Sequence, residues 1–329
     1  MITIGRHVAK LSGYAPAVPT PFDADDEVDG EAFARFCELQ VGEGANALVV
    51  CGTTGEAPTL TSGERRMLIG IAAGVARRRV PVVAGAGSNA TERAVALSRD
   101  AEAAGADAIL SVVPYYNKPT QAGIEAHFRA VAAATGLPLI LHDVPSRTVS
   151  ALADDTIARL AELDQIIGLQ DSSGDVTRPA RLRPRVGARL RLLSGDDATA
   201  PAFLAQGGDG CISVVSNVAP GLCRTIYLQR RDGHSPRAQR LLPLHARLAG
   251  ALSRESDASA LKCALSLLGV MSPRVRLPLV EPTQATRQEI AAAIAALKEC
   301  APDHAITAAR EFIAQVCAVA MGRRAVRSR

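Results

Sequence analysis

LILHDVPSRTVSALADDTIARLAELDQIIGLQDSSGD, residues 139–175, holds two short apolar runs, Leu139–Leu141 and Ile166–Leu169, with a helix-like segment between them. Each run ends abruptly in polar residues, His142-Asp143 in the first and Gln170-Asp171 in the second. Short continuous apolar runs suit strands covered on both faces, and the segment between them has room for the crossover that parallel strands need. The stretch reads as strand, helix, strand. Both strands then end at one edge, so positions 142 and 170 face a common space.

The unit repeats on either side. Upstream, strand-like runs at Tyr14–Val18, Ala47–Cys51, Val80–Ala84 and Ala108–Val113 each enter a polar, proline or glycine turn. Downstream, Leu190–Leu193 ends in Ser194-Gly195-Asp196-Asp197, and Gly210–Val214 ends in Ser216-Asn217. Helix signals fill the gaps: Asp29 as a cap with Gly42 and Gly44 as stops, and a capping box at Thr61 and Glu64. Further helices run from Thr91 to Ala104, stopped by Gly105, and from a cap near Thr120 to Gly136. Eight such units predict an α/β fold closed into a (β/α)8 TIM barrel. A doubly wound open sheet is the competitor, but no G-x-G-x-x-G follows the first strand and no switch point breaks the pattern. Beyond Asn217 only helices are expected, near 218–231, 235–252, 256–268, 286–299 and 303–320. The expected organisation is a barrel over 1–216, a C-terminal helical region over 217–299, and a helical extension with a basic tail over 300–329.

Bulk composition narrows the function. With 329 residues and 48% hydrophobic content, the chain can bury a large core. Its net charge of +4 is modest, the basic residues are scattered, and the run from Arg323 to Arg329 reads as a solvated tail. Aromatics make up 3% and Trp is absent, which leaves no stacking platform for nucleic acid. The seven cysteines are odd in number and form no C-x-x-C pair, as in a reduced cytoplasmic protein. No long apolar stretch suggests a leader or a membrane span, so a soluble, cytoplasmic protein is expected.

In a barrel, ligands bind where strands meet their following loops. Those ends supply Thr53, Thr54, Tyr116, His142, Arg147, Gln170, Gly195 and Ile212. Thr53 and Thr54 lie in a Gly-flanked turn whose N–H groups and hydroxyls suit a carboxylate. Arg147 offers a bidentate grip on another. Singly, these also read as a tight turn and a surface ion pair; their convergence on one rim favours a site.

The strings Gly52-Thr53-Thr54-Gly55-Glu56, Pro114-Tyr115-Tyr116-Asn117-Lys118-Pro119, Val144-Pro145-Ser146-Arg147-Thr148 and Ser194-Gly195-Asp196-Asp197 resemble the dihydrodipicolinate synthase family. Its wider kin are the pyruvate-dependent aldolases of the N-acetylneuraminate lyase superfamily, and the resemblance covers roughly residues 11–298. It implies a barrel, usually a homotetramer, that condenses pyruvate with aspartate semialdehyde through a Schiff base on a strand-six lysine, with no cofactor. By motif position, Thr53 and Thr54 would hold the pyruvate carboxylate, Tyr116 would be a proton-relay tyrosine, and Arg147 the clamp for the aldehyde substrate. Gly195 and Ile212 would line the substrate site. Two positions depart from the pattern. Gln170 stands at the lysine position and His142 at that of a second relay tyrosine.

An amide nitrogen cannot attack a ketone, and without an iminium the pyruvate methyl loses its electron sink. Among four lysines (Lys10, Lys118, Lys262, Lys298), only Lys118 is placed near the rim. No histidine pair has metal-ligand spacing at strand ends; His142 with Asp143 and Asp171 is the one conceivable cluster, so no metal is expected. In feedback-regulated relatives, lysine binds near the positions of Asn89 and Tyr115, but Arg93 occupies the place of the expected carboxylate. Three functions follow: a family enzyme of altered efficiency, a non-covalent binder of a 2-oxo acid that assembles alone or with an active paralogue, or a Schiff-base-independent enzyme using His142 and Tyr116.

Overall fold

The structure, a computed structural model, describes residues 11–231 and 236–300. Eight parallel strands form one sheet: β1 (Gly13–Pro16), β2 (Leu48–Val50), β3 (Val82–Gly85), β4 (Ala108–Val112), β5 (Leu139–Asp143), β6 (Ile166–Asp171), β7 (Arg191–Ser194) and β8 (Gly210–Ser213). Neighbours pair in sequence order from β2 to β8, and β8 returns to β1. A bridge between Ala17 and Val49 brings β1 to β2 and closes the ring, with Val18 N donating to Val49 O at 2.8 Å. This is the (β/α)8 barrel, not the open sheet.

The helices are α1 (Gly30–Gly42), α2 (Ser62–Ala76), α3 (Thr91–Ala103), α4 (Gln121–Ala133), α5 (Pro145–Thr148), α6 (Asp154–Leu160), α7 (Arg178–Val186), α8 (Ala200–Ala205), α9 (Pro220–Arg231), α10 (Pro236–Leu252), α11 (Asp257–Leu267) and α12 (Gln284–Cys300). Local chemistry sets their starts. Asp29 accepts from Ala32 N, Thr120 accepts from Gly123 N, and Thr61 with Glu64 completes a reciprocal capping box. The helix expected near 303–320 and the basic tail lie outside the described residues.

Side-chain alternation along each strand divides the core in two. Ala15, Val49, Val83, Leu110, Ile140, Leu193 and Ile212 fill the interior of the ring. Leu48, Val82, Ile109, Leu139, Leu141, Leu169 and Leu192 face outward and meet helix residues such as Phe33, Leu68, Ile124, Phe128 and Ile157. The interior is therefore packed at its base, and its main cavity lies at the C-terminal ends of the strands. No described helix is long and apolar enough to cross a membrane.

Candidate active site

β5 and β6 pair in register, with His142 opposite Gln170 and Asp143 opposite Asp171. Alternation turns the first pair inward and the second outward. His142 and Gln170 line a cavity of about 370 Å³ at the mouth of the barrel. Asp143 and Asp171 instead meet Arg178 Nη1 at 2.7 and 3.3 Å, and Arg178 also reaches Asp154 at 3.1 Å. All but Asp154 are buried. Burial pushes the Asp143 carboxyl up despite the guanidinium beside it. The metal cluster conceivable from sequence is thus split across the barrel wall: its imidazole is inside, and its carboxylates are outside and already ion-paired.

Thr53 and Thr54 also line the cavity. Their turn begins at Cys51, with φ 54°, and ends at Glu56, with φ 55°, so it needs outside support. Thr20 Oγ1 donates to Gly55 O at 2.7 Å, and Arg65 reaches Ala57 O at 2.6 Å and Gly85 O at 3.0 Å. Beneath the turn, the buried Glu56 carboxylate accepts from Lys262 Nζ and, at 2.9 Å, from Arg276 N. Lys262 Nζ also donates to Arg274 O at 2.7 Å and lies 4.1 Å from the centre of the Phe22 ring. Desolvation takes the Lys262 ammonium down to about 8.

Arg147, on the short α5, reaches the cavity and pairs with Asp257 at 2.8 Å. Gly195 and Ile212 complete the predicted lining. Gly195 has a steric reason to be glycine: a Cβ there would meet Ser172 Oγ at 2.1 Å and Gln170 Nε2 at 2.7 Å. Gln170 Oε1 is buried without a hydrogen-bond partner. Burial, with the Arg147 charge second, lowers His142 to about 4, so its imidazole is neutral at pH 7.

One predicted site residue stands apart. Tyr116 has φ 72° and is 89% exposed, and it is not part of the cavity lining. The lysines are also apart. Lys118 follows on the same exposed loop, Lys262 is fully buried in its ion pair, Lys298 lies exposed on α12, and Lys10 is outside the described residues. Sequence reasoning missed Ser172, Ser173 and Asp257. The serines follow a strand end and were open to the same rule. Asp257 carried only a helix-start signal.

A family model, the dihydrodipicolinate synthetase family, matches residues 10–297. The 4-hydroxy-tetrahydrodipicolinate synthase of Acidiphilium cryptum is 47% identical over 289 residues, covering 87% of this chain and 98% of that one. The chloride-inhibited dihydrodipicolinate synthase of Acinetobacter baumannii, solved with pyruvate, superposes with a TM-score of 0.84 at 38% identity, covering 87% of this chain and 98% of the other. The corresponding enzyme from Cyanidioschyzon merolae, solved with lysine bound, gives 0.85 at 35% identity, over 88% and 99% of the two chains. Matched from end to end of its barrel and through α9–α12, the chain belongs to the dihydrodipicolinate synthetase family.

Proposed function

We propose that this chain is a catalytically impaired or divergent member of its family that holds a 2-oxo acid such as pyruvate without forming a Schiff base. One observation carries the reading. Among the described residues no lysine lines the cavity, and its inner floor between His142 and Gly195 is the amide of Gln170. A carboxamide has no nucleophilic lone pair for a ketone, but its N–H can donate to the oxo group of a bound ligand. The Thr53-Thr54 turn supplies N–H and hydroxyl donors for the ligand's carboxylate.

The test is reduction with borohydride in the presence of pyruvate, followed by intact mass, alongside calorimetric titration. We expect unchanged mass and reversible binding; a trapped adduct overturns the reading. Gln170→Lys is expected to gain the adduct, because the threonine turn and Gly195 remain in place.

A second reading has its own support in the buried His142, whose imidazole is neutral at pH 7 and can accept a hydrogen bond or, as a weak base, a proton from a hydroxy or oxo acid. Turnover of a ligand that binds, abolished in His142→Gln, would favour it. The exposed Tyr115–Tyr116 pair supports assembly as a homotetramer or dimer, or with an active paralogue. Six free cysteines among the described residues, five of them buried, suit the reducing cytoplasm as the place of work.

A further inference from the structure

We propose that Asp257 is a specificity-determining residue: by balancing the charge of Arg147, it reserves the cavity for monocarboxylates and disfavours ligands bearing a second anionic group. The inference rests on the reading of this cavity as a 2-oxo acid site.

Among the described residues Arg147 is the one cationic side chain in the cavity lining, whereas three carboxylates, Asp196, Asp197 and Asp257, belong to it. Two of these are committed to neighbouring N–H and O–H donors. Asp197 accepts from Ser213 Oγ at 2.5 Å, Val214 N at 2.7 Å and Val215 N at 3.0 Å. Asp196 accepts from Ala198 N at 3.0 Å and Thr199 Oγ1 at 2.8 Å. Neither offers a place for a ligand's anion. The third, Asp257, takes Arg147 Nη2 at 2.8 Å. A first carboxylate can settle on the uncharged donors of the Thr53-Thr54 turn. A second would have to share Arg147, whose charge Asp257 already balances, or lie beside carboxylates with no other cation in the described lining.

Asp257 is also held in place. It is the first residue of α11, where the helix N-terminus favours a negative charge. Further along the same helix, Lys262 is buried and bound to Glu56 and to the Arg274 carbonyl. The helix that presents the carboxylate is thus pinned beneath the turn that would bind the ligand, and it cannot withdraw without releasing both.

The experiment titrates pyruvate, oxaloacetate and 2-oxoglutarate into the wild-type chain and into the near-isosteric Asp257→Asn, with thermal melting to check the fold. Wild type should bind the two dianions about tenfold more weakly than pyruvate. Asp257→Asn should tighten the dianions about fivefold while changing pyruvate by less than about twofold, a modest gain because both members of the pair are partly exposed. Adding Arg147→Gln to that variant should cancel the gain. Equal wild-type affinity for mono- and dianions overturns the proposal, as does an Asp257→Asn effect shared by all three ligands. Absence of wild-type pyruvate binding would instead overturn the reading of the cavity itself, and the proposal with it.

Discussion

Behind Arg147, the buried His142 imidazole has its pKa taken from 6.5 down to about 4. Between those values the unfolded chain binds the proton and the folded chain does not, so stability falls as pH drops from 6.5 towards 4 and is unaffected by this group above 6.5. His127, lowered to about 4 by burial, adds to the same loss. Urea unfolding at pH 7.5 and 4.5 should therefore show a smaller acid loss for His142→Gln than for wild type, by about 1–3 kcal/mol. At Gly195 the constraint is steric. Gly195→Ala forces Ser172 and Gln170 aside and should cost about 1–3 kcal/mol in the same assay, along with pyruvate affinity. The rule that strand ends carry sites found Thr53, Thr54, His142, Arg147, Gln170, Gly195 and Ile212, all of which line the cavity. It also collected Tyr116, whose left-handed backbone turns it out to solvent, a direction that strand periodicity does not encode. Asp257 escaped because its partner lies 110 residues away in the chain.

Among the elements, α11 lines the cavity with Asp257 at its start and braces the threonine turn from beneath with Lys262. Lys262→Met would leave the Glu56 carboxylate buried and unpaired, and should destabilise the chain by about 3–5 kcal/mol in chemical denaturation. Combining it with Glu56→Gln should recover part of that loss, since a neutral amide is far less costly to bury. Recovery of stability without recovery of pyruvate binding would mean that the pair also shapes the turn. Helix starts were legible because caps are local, and Asp29, Thr61 and Thr120 cap as the sequence implies. Strand ends were less so. β5 and β6 continue through their polar pairs to Asp143 and Asp171, because in a barrel mouth a polar inward residue is still part of the ladder. Polarity marked the cavity at 142 and 170 and the outer ion pair at 143 and 171, not the end of the strand.

For the whole molecule, eight repeats sufficed to predict closure, and the Ala17–Val49 bridge realises it. Two predictions belong at this scale. The region around Asn89 and Tyr115 carries the exposed Arg93, and its charge is felt at Arg65. A lysine ammonium meets like charge there, so lysine should shift the melting temperature by less than about 1 °C. A large upward shift would refute this. The exposed Tyr115 and Tyr116 should be covered by another copy, so sedimentation of Tyr116→Ser should yield a smaller species than wild type at equal concentration. An unchanged species would place the contact elsewhere. The ionic clip of Asp143, Asp171 and Arg178 lies on the outer wall of β5 and β6, while the imidazole and the amide lie on the inner one. What braces these strands and what lines the cavity are therefore different side chains. A change of side chain at position 170 leaves that clip untouched, so the cavity floor can be altered while the wall keeps its brace.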